Sequence, residues 1–537
     1  MADPIPAFER RARTFLRRTV RFHEGLVAHA LRLAGRGDDE RTLQWVRLTA
    51  EVAWAAHPGR LSDERLEAVA LAIGRRLEPA PEEPAERVPS GLPARRRVLH
   101  VATAVASSGG HTRLLENWVG ADDASVHALM LLDQGAEPVR AALAGRIAAS
   151  GGTVTVVPPG TPLLERARRL RRAARSGYDC VVLHHNPDDV VPLVAFAVED
   201  VPPIAAMNHA DHIFWLGAAV TDLLVEFREF GARLSRERRG IRRNVVFPLP
   251  LDIRSSYPTR EEARAHLGIA ADEQVLLTIG SAAKYTPTAR QRFFDTLARV
   301  LDANPRARLY VIGVGEEHAG MLAIARHNRM RLLGVMHDPS DYQSAADLYL
   351  EGFPFGSYTA LLETAVRGVC PVVMYAPTEH NDVSVEVPLQ GVVHGVADAP
   401  AYVADVTALL ANPAERARRS RLIAERIRAG HSTGAARGCL EAVYRQLAAL
   451  RHDVALPPDW LAKEARHDLD LAGFQSTRMH IPLADRIATR TLRALSPGAF
   501  ARFLAISVRT GDTRLVPRHA KSWASLIARR LLPVVGR

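Results

Sequence analysis

Residues 347–363 read Asp347-Leu348-Tyr349-Leu350-Glu351-Gly352-Phe353-Pro354-Phe355-Gly356-Ser357-Tyr358-Thr359-Ala360-Leu361-Leu362-Glu363. A short apolar run, Leu348–Leu350, ends in a Gly/Pro/Ser turn, and a helical pattern starts near Thr359. Such a helix aims its N-terminal N–H groups at the turn, which is where a pyrophosphate would sit. Glu363 lies one turn into the helix on the same face, where a carboxylate can hold both hydroxyls of a ribose. Gly368-Val369-Cys370-Pro371 then closes the helix and feeds another apolar run, Val372–Tyr375. A Thr359 acting only as an N-cap would have the same sequence, and the two roles are compatible.

Working outward, short β-branched runs alternate with helical stretches in two series. The first is Val98–Ala102, Val126–Leu132, Thr153–Val157, Cys180–Leu183, Ile204–Met207 and Leu223–Phe227. The second is Val275–Ile279, Leu309–Ile312, Arg331–Leu333, Leu348–Leu350, Val372–Tyr375 and Gly391–His394. This alternation predicts parallel βαβ units, and the irregular Pro-rich stretch Asn244–Arg254 reads as the hinge between the series. The fold class is therefore α/β: two Rossmann-like domains facing across a cleft, with a helical N-terminal domain and a basic helical C-terminal tail. The predicted boundaries are 1–78 for the helical domain, 79–96 for a Pro/Glu-rich linker, 97–254 and 255–450 for the two α/β domains, and 451–537 for the extension. Ser62 is the expected N-cap of the last helix in the first of these.

Ligands of open α/β sheets sit beyond the carboxyl ends of the strands, so those loops carry the candidate residues. After Val98–Ala102 comes Ser107-Ser108-Gly109-Gly110-His111-Thr112-Arg113, where Gly109 and Gly110 permit close backbone approach to a donor ligand. A tight βα turn would look the same, and the spacing is not G-x-G-x-x-G. After Val275–Ile279 comes Gly280-Ser281-Ala282-Ala283-Lys284, and Lys284 is one of only 3 lysines beside 67 arginines. A lysine can neutralise a diphosphate without fork geometry. His184-His185-Asn186 follows Cys180–Leu183, and Asn208-His209-Ala210-Asp211-His212 follows Ile204–Met207. These are candidates for general acid/base work, because imidazole titrates near neutrality. His209 is the first choice, with Asp211 and His185 as alternatives. His209 and His212 have ligand spacing, yet no third ligand at suitable spacing accompanies them, so no metal site is expected.

The block Val275–Val373 resembles the donor domain of GT-B glycosyltransferases, including the group 1 families. The Gly-x-x-x-Lys loop, Leu332-Leu333-Gly334-Val335, the turn, Glu363 and Gly-Val-x-Pro-Val-Val come in the same order. In retaining families two glutamates flank the turn eight positions apart, whereas Glu351 and Glu363 are twelve apart. The wording Phe-Pro-Phe-Gly-Ser-Tyr-Thr is similar to O-GlcNAc-transferase-like enzymes instead, so retention and inversion both stay open. The resemblance spans roughly residues 97–450. It implies that Lys284, Ser357, Tyr358 and Thr359 contact the diphosphate, Glu363 the ribose, the backbone around Val335 the base, and Glu379 the sugar. It implies a sugar transfer from a nucleotide diphosphate sugar, with UDP favoured and the acceptor a glycan, lipid or protein. No cofactor or metal is implied, since the Asp-x-Asp of metal-dependent transferases is missing. A catalytically dead GT-B nucleotide-binding scaffold and a GT-B epimerase are the alternatives. A phosphorylase is disfavoured by the scarcity of lysine for pyridoxal phosphate.

Charge narrows the partners. The chain of 537 residues carries a formal +11, with 47% hydrophobic and 24% charged residues. Between residues 484 and 537 stand eleven basic and two acidic side chains. The rest is near neutral, so a nucleic-acid-binding body is not expected. The segments Ala484–Leu495, Pro497–Val508 and His519–Leu532 interleave arginine with apolar residues, as helices on anionic membrane surfaces do, and a docked helix would carry the same pattern. Three scattered cysteines exclude a disulfide framework or thiolate cluster. No 18-residue apolar run and no secretory leader are seen, so a bacterial cytoplasmic enzyme, peripheral on the inner membrane face, is expected.

Overall fold

A computed structural model gives the fold. It describes residues 4–77, 95–106, 110–209, 211–287, 291–320, 322–324, 327–374, 389, 391–393, 395–458, 468–469, 471–473, 475 and 495–511. The chain divides into two compact units, one formed chiefly by Phe247–Glu441 and the other by Arg11–Glu226, Gly231–Val246 and the described residues from Ala442 on.

The second of these units holds a seven-stranded sheet ordered β3-β2-β1-β4-β5-β6-β7. Its strands are β1 (Arg97–Ala102), β2 (Val126–Leu131), β3 (Val154–Val156), β4 (Cys180–His184), β5 (Ile204–Met207), β6 (Leu223–Glu226) and β7 (Asn244–Val246). Every pairing is parallel. Near-continuous apolar runs such as Val181-Val182-Leu183 suit strands covered on both faces. The order reverses between β1 and β4, the switch point at which α/β sheets open a crevice. β7 was not expected: Asn244–Val246 is only three residues long and reads as the start of the Pro-rich hinge, but it pairs with β6 at the sheet edge.

One face of this sheet is covered by the N-terminal helices Pro4–Ala34, Asp39–Ala55 and Glu64–Arg76, whose residues Phe22, Leu26, Trp45, Leu66 and Ile73 share one core with Leu99, Val101 and Val181. Residues 1–78, expected as a domain of their own, thus share their main core with the sheet. The physical reason is visible in Arg171, buried beneath them, which donates to the carbonyls of Gly74, Leu77, Val194 and Ala195. Buried Glu67 accepts from the amides of Gly217, Ala218 and Ala219. The N-cap of Glu64–Arg76 is Asp63 rather than the expected Ser62, its carboxylate accepting from the Arg65 amide. The helix Pro497–Arg509 buries Phe500, Phe503 and Ile506 in the same core, with Phe503 edge-on to Phe22 at 5.4 Å between ring centroids. That part of the basic tail is docked, because its apolar face has a protein partner. Of the tail's other two segments, His519–Leu532 and all of Ala484–Leu495 but its last residue lie outside the described residues.

The other unit holds a six-stranded sheet ordered β10-β9-β8-β11-β12-β13, formed by β8 (Gln274–Ile279), β9 (Ala307–Ile312), β10 (Met330–Leu332), β11 (Leu348–Leu350), β12 (Cys370–Met374) and β13 (Gly395–Val396). All pairs are parallel, with cores on both faces. The switch lies between β8 and β11. The last strand falls a few residues after the expected Gly391–His394, because Gly391, at φ +85°, forms a turn instead.

Candidate functional site

At the β8/β11 switch point three backbone segments meet at contact distance. A Cβ on Gly280, just past β8, would lie 2.6 Å from the Ser357 hydroxyl and 2.8 Å from that of Tyr285. Gly313, just past β9, has φ +89°, and a Cβ there would lie 2.4 Å from the Gly280 carbonyl. Only glycine fits at 313 without moving backbone, and a Cβ at 280 would push the Ser357 and Tyr285 side chains aside. The short turn Ala282–Tyr285 then carries Lys284 to the loop after β11, where its Nζ donates to the Gly356 carbonyl at 3.0 Å.

Under that loop lies Glu351, 4% exposed. Its Oε1 accepts from the Ser357 amide at 2.5 Å. A Cβ on Gly356 would lie 2.6 Å from the same oxygen. Burial pushes the Glu351 carboxyl up to about 7, against the opposing pull of the Lys284 charge and the Ser357 amide. The Ser357 hydroxyl is buried and has no hydrogen-bond partner among the described residues. The helix Tyr358–Ala365 starts here with Ser357 as its N-cap, not Thr359, and the Ser357 side chain makes no cap bond. A lysine, an unused hydroxyl and a helix N-terminus converge on one turn, which is the chemistry a diphosphate needs.

Of the residues expected to hold the donor, Lys284 and Ser357 meet at this turn. Tyr358 and Thr359 begin the helix, and half-buried Glu363 stands in its second turn. Val335 is 91% exposed beyond β10, the edge strand two places from β8. Gly110 is the first residue of the helix Gly110–Ala121, in the other unit. Gly109 and Glu379 lie outside the described residues. Glu351 entered the sequence reading only as half of a stretched motif, yet it props up the turn.

The other unit gathers histidines at its own β1/β4 switch point. His111 follows β1, His184 ends β4 and His209 follows β5. Their rings lie 3.8 Å (His111–His209), 5.8 Å (His184–His209) and 6.3 Å (His111–His184) apart between centroids. One ring nitrogen of each lies within 4.8 Å of the others, a group able to hold a metal ion. Behind them His184 Nε2 meets His100 Nδ1 at 3.1 Å, and His100 Nε2 meets His127 Nδ1 at 3.0 Å. His127 Nε2 donates to the Asp122 carbonyl at 3.0 Å. Burial holds the pKa of His184 and His209 well below the ordinary range and that of His111 down to about 4.

His185 is also held down by burial, and its Nε2 donates to the Leu216 carbonyl at 2.7 Å. Asp211 pairs with His212 at 2.9 Å, while Arg239 donates to the Asp211 carbonyl. His212 is thus engaged with a carboxylate, and the ligand spacing His209/His212 does not form a site. The absence of a third ligand in sequence is corrected by the fold, because parallel strands bring His111 and His184 to His209 from 98 and 25 residues away. Glu226, at the end of β6, was not foreseen. It accepts from Asn208 and Ser235, and burial pushes it up to about 7. A signal was present: Val98-Leu-His100, Val126-His127 and Leu183-His184 each set a histidine inside an apolar strand run.

No known family profile matches the chain. It is 28% identical over 307 residues to a GDP-mannose-dependent alpha-(1-6)-phosphatidylinositol dimannoside mannosyltransferase of Mycobacterium tuberculosis, which covers 52% of this chain and 79% of the relative. Among solved structures, a Thermobaculum terrenum O-GlcNAc transferase mutant superposes with a TM-score of 0.49 at 19% identity, covering 78% of this chain and 82% of that one. Anabaena HepE in complex with UDP and glucose gives 0.49 at 13%, covering 66% and 100%. Two doubly wound parallel sheets give the chain the architecture of GT-B glycosyltransferases, with the lysine–glutamate–serine turn at the switch point of one of them, and the mannosyltransferase it resembles is itself a glycosyltransferase.

Proposed function

We propose that the chain moves a sugar from a nucleotide diphosphate sugar to a lipid-linked or other cell-envelope acceptor, with the donor held at the β8/β11 switch point. The observation that carries this reading is the turn Gly356–Tyr358, pinned by Lys284 from above and Glu351 from below. Lys284 would leave the Gly356 carbonyl for the diphosphate, and the Ser357 hydroxyl and helix N-terminus would complete the anion's ligands. Charge developing on the leaving diphosphate is then met by groups already in place, with no metal at that step. Glu363 would take the ribose, and the backbone around Val335 the base.

On the acceptor side Asp211, paired with His212, would receive the acceptor proton. The turn wording favours UDP, while the mycobacterial relative is named for GDP-mannose and a lipid acceptor. The basic segment 484–537 fits an anionic membrane surface. That segment would hold the enzyme on the cytoplasmic membrane face as a peripheral protein; no described helix is long and apolar enough to cross a membrane.

Calorimetric titration of the full chain with UDP and with GDP tests the reading. One of them should bind, and Lys284→Met should weaken it at least about tenfold while the melting temperature holds, as loss of a charge-assisted contact demands. If neither nucleotide binds, or Lys284→Met binds like the parent, the donor assignment is wrong.

A further inference from the structure

The hydrogen bonds behind the histidine cluster fix its tautomers. The Asp122 carbonyl can only accept, so His127 carries its proton on Nε2. A neutral imidazole has one proton, so His127 Nδ1 is a bare lone pair and accepts from His100 Nε2. His100 Nδ1 is then bare in turn and accepts from His184 Nε2. The relay crosses three neighbouring strands, β2, β1 and β4, and leaves the lone pair of His184 Nδ1 uncovered. That atom is buried with no hydrogen-bond partner among the described residues.

His111 reaches the same state independently. Its ring bonds to the backbone of His184, and its Nε2 is buried without a partner. Two uncovered lone pairs in a buried site cost free energy unless something accepts them. The two residues belong with His209 to the three-membered group.

We propose that His111, His184 and His209 form a three-imidazole site for a borderline divalent transition ion, with Zn2+ as the type and the fourth position open. Neutral imidazole is the ligand such ions take. Ligand bonds of about 2.0–2.1 Å place tetrahedral nitrogens about 3.4 Å apart, so binding draws these rings modestly inward. The relay is the outer support a metal-bound histidine needs: it locks the ring and raises its donor strength. It ends on Asp122, whose Oδ2 lies 3.4 Å from His127 Nε2. The ion would tie together the segments after β1, β4 and β5 and present its open position to a water or substrate hydroxyl. Nothing in this depends on how the donor nucleotide is held.

The test is titration of the chelator-stripped full chain with Co2+, read by visible absorption, with bound Zn2+ counted by mass spectrometry after dialysis. One equivalent of Co2+ with intense tetrahedral bands is expected, displaced by Zn2+. His111→Gln and His209→Gln should each weaken binding at least about tenfold. His100→Gln, which touches no metal but breaks the relay, should weaken it by about 10- to 100-fold. Melting of the metal-free variants controls for folding. No tetrahedral band in the parent, or a stoichiometry unchanged in a folded His111→Gln/His209→Gln double variant, would overturn the proposal.

Discussion

Replacing Glu351 by glutamine isolates the energetic role of the carboxyl beneath the donor turn. Glutamine keeps an oxygen for the Ser357 amide and nearly the same volume, but it never ionises. In the unfolded chain this glutamate titrates near 4.5, and in the fold burial pushes it up to about 7. The folded state therefore holds the proton more tightly. The stability it confers is whole below pH 4.5 and is lost progressively as pH rises to 7. At 1.36 kcal/mol per pH unit that interval is worth about 3 kcal/mol. Urea unfolding of parent and Glu351→Gln at pH 5 and pH 8 gives the quantity directly. Between these pH values the parent should lose roughly 2–3 kcal/mol more than the variant, since every other titrating group is common to both. Equal pH dependence in the two proteins would refute the argument that a buried, largely neutral Glu351 supports the turn. A variant losing more stability than the parent would reverse its sign.

The docked helix Pro497–Arg509 makes a separate claim. Phe503→Ala removes a fully buried ring stacked edge-on against Phe22, and should lower unfolding free energy by about 3–5 kcal/mol in urea titration; a cost below about 1 kcal/mol would show that the helix is not part of the core. Truncation after residue 511 removes six basic residues and Trp523 beyond that helix and should reduce sedimentation with phosphatidylglycerol vesicles at low salt. Unchanged sedimentation would remove the membrane role of the tail.

The two sheets were legible in the sequence because a strand buried on both faces must be apolar along its length. Runs such as Cys180–Leu183 and Ile204–Met207 hardly admit another reading. The turn 351–359 was legible because glycine, proline and a following helical period are local signals. Short strands at sheet edges were less so: Asn244–Val246 has no pattern of its own and exists only by pairing with β6. The N-terminal helices were recognised, but their partner was not, because an apolar helix face does not say which surface will cover it.

The same division runs through the candidate site. By itself the sequence determined the α/β architecture, the loops that would carry chemistry, and Lys284 as a donor-binding candidate, since each follows from residue types at local spacing, while Ser357 entered through the resemblance to GT-B donor domains. Only the tertiary structure decided that Glu351 sits under the turn, that His212 belongs to Asp211, and that His111, His184 and His209 converge. Those facts depend on which strands neighbour which. Strand order is set by crossover connections and by burial on both faces, so residues nearly a hundred positions apart become neighbours with no mark in the local sequence.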